Sequence, residues 1–413
     1  MARQNNQKQM ALFPKKLSSV VWELTLKCNA RCRHCGSSAG TARNNELTLD
    51  ESIRICDQLI ELKCERINLM GGELFLNPNW KNIASYLSKN GVSVSVITNG
   101  ILLNEENLSF LKEINTETIG ISIDGGLAQT HDNVRRVPGL FDKIFQNITN
   151  ISKTGIPVVA ITTLTKKNIL ELNILKEKLL NSDFRGWQLQ IAAPTGRMAE
   201  DSLLSREEYY IAGLFAAKNI LSVPQSKLQI TAMHDFGYYS KVILLGKGLF
   251  SWTGCPAGKR VLGIRSDGKV HGCLSMQNDE FAERDLRKET LKEIFYSKDF
   301  CSWNRRFNRY KKLSGFCKKC EYGLVCLGGC SDISHSVTGN VGDNPFCFYA
   351  VETAYKNLKP ANDFEAVFKS ITQGKMTDDG KFYLNTKEEL TAGLIEKLDI
   401  SVAQKELLKL LAG

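Results

Sequence analysis

The stretch Val20-Val-Trp-Glu-Leu-Thr-Leu26 is followed, after Lys27, by Cys28-Asn-Ala-Arg-Cys32-Arg-His-Cys35. The first seven residues form a short, largely apolar run of the kind a strand buried on both faces shows. Directly behind it, three thiols fall within eight residues in the pattern C-x3-C-x2-C. Three thiolates so close together can wrap one soft metal centre. A closed structural zinc site needs four ligands, and His34 offers a fourth. A three-thiolate iron–sulfur cluster instead leaves one iron open to a ligand that is not protein. The spacing alone leaves both readings open.

The pattern around this loop repeats along the first half of the chain. Strands are predicted at Val20–Leu26, Arg66–Met70, Val92–Thr98, Thr118–Ile123, Val158–Thr163 and Trp187–Ile191. Helices are predicted between them at Leu49–Lys63, Trp80–Lys89, Glu105–Ile114, Phe141–Ser152 and Ile169–Leu180. Thr48 with Glu51 three residues on reads as a capping box, and Asn104 as a cap of the third helix. Strict β–α alternation means a parallel sheet. Six units are too few for a closed eight-unit barrel, so the expected fold is α/β, a partial (β/α)6 TIM-like barrel. Functional residues then belong at the carboxyl ends of its strands. The expected organisation is a flexible N-terminus at 1–17, the barrel at 18–195, a helical connection at 196–250, a small cysteine-rich domain at 251–350 and a helical C-terminal tail at 351–413.

Composition narrows the class. The chain has 413 residues, 43% hydrophobic and 24% charged, which excludes disordered and collagen-like chains. No apolar run reaches the roughly 20 residues of a spanning helix, so no membrane partner is expected. Residues 1–16 show no secretory signal. The net charge of +10 suits an acidic partner without requiring nucleic acid. Thirteen cysteines without an export signal point to a cytoplasmic, reducing setting in which clustered thiols are metal ligands.

The cysteine loop after the first strand resembles that of the radical S-adenosylmethionine (SAM) superfamily. The resemblance implies that Cys28, Cys32 and Cys35 hold three irons of a [4Fe–4S] cluster whose fourth iron SAM chelates. One electron would then break a C–S bond to give methionine and a 5′-deoxyadenosyl radical, which abstracts hydrogen from substrate. Other motifs fall at successive strand ends. Met70-Gly71-Gly72-Glu73 follows the second strand, with Leu74 where the family has proline. Its glycines let the backbone approach a ligand closely, and the family uses this motif for the SAM amino group. Thr98-Asn99-Gly100 closes the third strand, while Ser122 and Asp124 close the fourth, where relatives place polar groups against the ribose. His131-Asp132, Arg135, Gly139 and Phe141 resemble the family's H-D-x-x-R segment, whose Arg pairs with the SAM carboxylate. His131 itself reads as structural.

A second cysteine field runs from Cys255 and Cys273 through Cys317-x2-Cys320-x5-Cys326-x3-Cys330 to Cys347. It resembles the SPASM extension of some radical SAM enzymes. That implies two auxiliary [4Fe–4S] clusters, three in the whole chain. One would use Cys317, Cys320, Cys326 and Cys347. The other would use Cys255, Cys273 and Cys330, with an open or non-cysteine fourth position. Structural zincs are the alternative. Cys56 and Cys64 read as packing residues, and Cys301 is a candidate hydrogen donor to a substrate radical.

Enzymes of this class and size most often modify ribosomally made peptides by cross-linking, thioether formation or epimerisation. The expected partners are therefore a peptide substrate and an electron donor such as flavodoxin or ferredoxin. Since neither end is long enough for a winged-helix leader-binding domain, a leader is expected to bind elsewhere on this chain or on a separate leader-binding protein. Arg305, Arg306, Arg309, Lys311 and Lys312 would meet an acidic leader, or form a solvated face that offsets thiolate charge. Two other enzymatic readings are haem-precursor side-chain modification and anaerobic sulfatase maturation to formylglycine. The latter is weakened by Leu274, where those relatives carry Asp after the cysteine matching Cys273. A non-catalytic zinc protein binding nucleic acid is the reading from another class. It would not need the Gly-Gly-Glu motif or six βα units.

Overall fold

The computed structural model describes residues 16–233, 236–240, 252, 254–276 and 278–357. Six parallel strands form its centre: β1 (Ser19–Glu23), β2 (Arg66–Met70), β3 (Ser93–Thr98), β4 (Thr118–Ser122), β5 (Val158–Leu164) and β6 (Gly186–Ile191). Between them lie α1 (Leu49–Glu61), α2 (Trp80–Lys89), α3 (Glu105–Glu113), α4 (Ala128–Arg135), α5 (Leu140–Ser152) and α6 (Leu172–Leu180). Thr48 and Glu51 form the capping box of α1, and the Asn104 side chain accepts from Asn107 N–H at the start of α3. Buried and half-buried residues are interspersed along the strands, and Trp22, Ile67, Ile119, Val158 and Trp187 lie with the apolar sides of the helices in one continuous core.

Two further parallel strands extend this sheet. After α7 (Arg206–Ser222), β7 (Gln229–Ala232) pairs with β6. On the far side, β8 (Val261–Ile264) pairs with β1. The hairpin strands β9 (Lys269–His271) and β10 (Arg284–Asp285) add on antiparallel, giving ten strands in the order β10-β9-β8-β1-β2-β3-β4-β5-β6-β7. The sheet remains open, an α/β partial barrel. The stretch predicted as a helical connection therefore contributes a strand as well as a helix. Gln229-Ile-Thr-Ala232 is too short and too polar to announce itself by pattern.

Beyond the sheet the structure turns to short helices: α8 (Leu291–Tyr296), α9 (Arg306–Lys311), α10 (Gly315–Lys319), α11 (Gly323–Cys326), α12 (Ser331–Thr338) and α13 (Phe348–Asn357). Most of the predicted C-terminal tail and residues 1–15 of the predicted flexible N-terminus lie outside the described residues. Leu17, at the edge of that N-terminal stretch, is buried in the core. Among the described residues no helix is long and apolar enough to cross a membrane.

Candidate iron–sulfur centres

The first cysteine loop leaves the carboxyl end of β1 and is closed by a backbone bridge between Lys27 and Gly40. Cys28 N–H donates to Gly40 O at 3.0 Å, and Gly40 N–H to Leu26 O at 2.9 Å. Inside the loop, Ala30 N–H points at Cys28 Sγ (3.4 Å) and Ala39 N–H at Cys35 Sγ (3.3 Å). Burial raises the pKa of the Cys28 thiol, and the Ala30 N–H offsets that only in part.

Residues from other strand ends hold the loop. Gly72 N–H donates to Thr25 O and Glu73 N–H to Lys27 O. A Cβ on Gly71 would stand 2.5 Å from Thr25 O, and one on Gly72 would stand 2.5 Å from Leu26 O and Lys27 O. The backbone leading into the cysteines therefore approaches both glycines too closely for a side chain. Arg197, which the sequence reading missed, lies beyond β6 and donates to Cys32 O and Ala39 O, each at 2.9 Å. Nothing in a lone Gly196-Arg197 pair signals that role, because both partners are carbonyls more than 150 residues away in the chain.

Polar side chains converge on the thiols. Glu73 is buried. It accepts from Thr98 Oγ1 at 2.7 Å and from Asn99 N–H at 2.9 Å, and burial raises its pKa. The Asn99 amide nitrogen lies 3.9 Å from Cys28 Sγ and 2.8 Å from Asn29 Oδ1. Arg135 Nη1 is 3.6 Å from Cys32 Sγ. Its Nη2 forms an ion pair with Asp124, which is 0% exposed and also meets His34 Nε2 at 3.2 Å. Burial alone would raise the Asp124 pKa, yet Arg135 and His34 outweigh it and hold the group ionised. Thr163 N–H occupies the other Asp124 oxygen. Asp124 is thus an anchor for Arg135 and His34, an arrangement the sequence reading did not contain. Ser122 is half-buried at the end of β4. Arg135 Nε is buried without a hydrogen-bond partner among the described residues.

The H-D-x-x-R segment is helix α4 with its exit. Asp132 accepts from Gly139 N–H (2.6 Å) and Phe141 N–H (3.0 Å), fixing the turn into α5. His131 is fully buried. Its Nδ1 accepts from Asp124 N–H, and burial lowers its pKa to about 4, which keeps it neutral.

In the C-terminal half, a small, partly open pocket is lined by Cys317, Cys320, Cys326 and Cys347 together with Tyr239, Tyr322 and Tyr349. Burial pushes the Cys347 thiol up to about 12. Cys255, Cys273 and Cys330 form a second set. Burial raises Cys273 to about 12 and pushes Cys330 up as well, and the charges of Asp332 and Cys255 add to both. Such donors suit a cationic metal–sulfur core, which supplies the positive charge that a dry pocket of thiolates needs. Among the described residues no three His, Cys, Asp or Glu side chains close in on a single point as around one ion. A cubane needs no such convergence, since each thiolate binds a different iron.

The remaining thiols are packed. Cys56 and Cys64 lie in the core, pushed by burial up to about 12 and about 11. Cys301 is 4% exposed, with its sulfur against the backbone of Gly258 and Gly272. Leu274 is buried against Gly263 of β8. One member of the predicted basic stretch departs from a solvated face: Arg309 is 1% exposed and points inward, while Arg305, Arg306, Lys311 and Lys312 remain exposed.

An open parallel barrel with a thiol loop at the end of its first strand, followed by further gathered thiols, defines an iron–sulfur enzyme class. Residues 22–176 match the radical SAM superfamily and residues 255–321 match SPASM, an iron–sulfur cluster-binding domain. The chain is 29% identical over 345 residues to an AdoMet-dependent heme synthase of Methanosarcina barkeri, spanning 80% of this chain and 96% of that protein. It is 30% identical over 328 residues to mycofactocin maturase MftC of Mycobacterium tuberculosis, spanning 75% and 77%. Among solved structures, Streptococcus suis SuiB bound to S-adenosylmethionine superposes with a TM-score of 0.65 at 14% identity, over 84% of this chain and 80% of that one. The chain belongs to the radical SAM superfamily and carries a SPASM domain. It is an enzyme of SAM and iron–sulfur chemistry.

Proposed function

We propose that the chain uses SAM to start radical chemistry on a ribosomally made peptide. A [4Fe–4S] cluster held in the first cysteine loop with SAM would supply one electron to a C–S bond, releasing methionine and a 5′-deoxyadenosyl radical. Cys28, Cys32 and Cys35 are the proposed ligands. The carrying observation is that Asn99, at the end of β3, and Arg135, at the end of α4, reach the sulfurs of Cys28 and Cys32. Gly71, Gly72 and Glu73 frame the place of the SAM amino group, with Glu73 held ready by Thr98 and Asn99. Arg135 offers its unengaged Nε to the carboxylate, and Ser122 lies near the ribose end. Asp124 keeps Arg135 aligned.

Cys317, Cys320, Cys326 and Cys347 are proposed to hold one auxiliary cluster, and Cys255, Cys273 and Cys330 another. They would pass electrons to or from the substrate radical, with a flavodoxin or ferredoxin as the external donor and a separate protein holding any leader. Cys301 is proposed as a hydrogen donor only for an epimerising reaction. The peptide reading is supported by the similarity to mycofactocin maturase MftC and to the subtilosin biosynthesis protein AlbA of Bacillus subtilis, 32% identical over 171 residues.

A second reading, modification of a haem precursor, is favoured by the near-complete span of the Methanosarcina barkeri heme synthase. Buried Leu274 in place of an acidic residue argues against formylglycine formation.

The test begins with anaerobic reconstitution, where a cubane absorption and EPR signal and reductant-dependent 5′-deoxyadenosine are expected. Their absence removes the radical reading. Iron coproporphyrin and candidate precursor peptides are then added separately. Faster SAM cleavage with peptide supports the first substrate reading. A shifted tetrapyrrole spectrum with faster cleavage supports the second.

A further inference from the structure

The two auxiliary thiol sets are separated by one short link, Cys326-Leu-Gly-Gly-Cys330, and a single buried cation sits on it. Leu327, Gly328 and Gly329 all have positive φ, at 57°, 78° and 66°. Three left-handed residues in a row bring the carbonyls of Leu327 and Gly329 around to one point. Arg309, reaching in from α9, occupies that point. Its Nε donates to Leu327 O at 3.0 Å, and its Nη2 donates to Gly329 O at 2.8 Å and to Leu327 O. Its Nη1 donates to Ser331 Oγ, one residue past Cys330.

Every one of these acceptors is neutral. Among the described residues no carboxylate lies within ion-pair distance of Arg309, although the side chain is 1% exposed. Hydrogen bonds satisfy the donors of a buried guanidinium, but they do not remove its charge, and an uncompensated buried charge is strongly disfavoured. Besides the Tyr238 hydroxyl, the groups whose negative charge would favour the Arg309 cation are three thiols, Cys255, Cys330 and Cys326. Each belongs to one of the two proposed clusters. A thiolate-ligated cubane is anionic and becomes more so on reduction, so a nearby fixed cation favours the reduced form and raises the potential.

We propose that Arg309 is the shared countercharge of the two auxiliary clusters, one cation that raises both reduction potentials together. The proposal rests on the cluster assignment above. Arg309 acts through the clusters' ligands and is a positioning residue. The surrounding arginines and lysines are solvated and screened, which leaves Arg309 as the member of the basic stretch whose field reaches both sites at low dielectric.

The experiment is an EPR-monitored redox titration of the full reconstituted chain, with iron content measured in parallel, for wild type, R309Q and R309K. The cluster on Cys28, Cys32 and Cys35 is the internal reference. Two auxiliary potentials that both move down in R309Q, with the reference unmoved and R309K close to wild type, support the proposal. If R309Q does not retain auxiliary iron, full iron in R309K supports the charge role. Equal iron loss in R309K overturns it, because shape rather than charge is then required. Unmoved potentials in R309Q, movement of one cluster alone, or equal shifts in R309Q and R309K also overturn it. Wild-type protein with no auxiliary clusters at all overturns the assignment beneath it, and this outcome is distinct from the others.

Discussion

The two cysteine regions are built on opposite plans. In the first, three thiols within eight residues ride on a loop that β1 launches and that β2, β3, α4 and the segment after β6 hold by backbone and side-chain bonds. The loop's shape is held by a large sheet and the segments that follow its strands. In the second, the seven thiols proposed as ligands are spread from Cys255 to Cys347, largely among helices of four to ten residues. There, buried thiols and one buried guanidinium take places that an apolar core would otherwise fill. The barrel therefore prepares a site, while the C-terminal region depends on what its site binds.

The sharpest way to break this comparison is at the first loop. Cys28→Ala is expected to bring 5′-deoxyadenosine formation to the no-enzyme level, more than the roughly 10–100-fold that losing a supporting hydrogen bond costs a metal site. The barrel's circular dichroism should not change. Iron removal tests the other half of the contrast. Chelation of the reconstituted protein should speed amide exchange in α9 to α12 by roughly 100-fold, about 3 kcal/mol of local stability, and leave β2 to β5 protected. Equal loss in both regions would falsify the contrast.

Cys320→Ala sharpens the division of labour. SAM cleavage should persist at a rate within about 10-fold of wild type while product formation falls further, within the cost range for a perturbed metal site. Equal loss of both would mean that this cluster has no separate redox role.

The smallest effect concerns pH. His131 has its pKa lowered to about 4 by burial, against 6.5 when unfolded. The unfolded chain binds the proton more readily, so this stabilising contribution is complete above pH 6.5 and is lost as pH falls toward 4. Between pH 7.5 and 5.5 the loss is about 1.4 kcal/mol, roughly 3–6 °C in Tm. His131→Gln should flatten that part of the Tm–pH curve, and an unchanged slope would rule the assignment out.

The legible parts of this molecule were local. Arg66–Met70 and Trp80–Lys89 match their predicted bounds because short apolar runs and a clean 3.6-residue stripe carry their own signal. The Thr48 capping box is equally local. What escaped was pairing at a distance. β8 joins β1 from more than 240 residues away, and no pattern in Val-Leu-Gly-Ile announces a neighbour. The same holds at the site. The cysteines and the Gly-Gly-Glu, Thr-Asn and Arg135 motifs were visible as residues, but the Asp124 anchor, the Arg197 clamp and the inward turn of Arg309 exist only once distant strand ends meet. Arg309 lay in a run of cations whose composition suggested water on every side.

The pairing of β8 with β1 has a practical consequence for anyone cutting this enzyme into parts. A shortened chain ending after β7 would keep the whole cysteine loop yet strip its launching strand of one neighbour, leaving a row of bare amides and carbonyls along β1. Such a raw margin recruits other copies. The isolated front half should precipitate or form strand-swapped oligomers before its chemistry can be assayed.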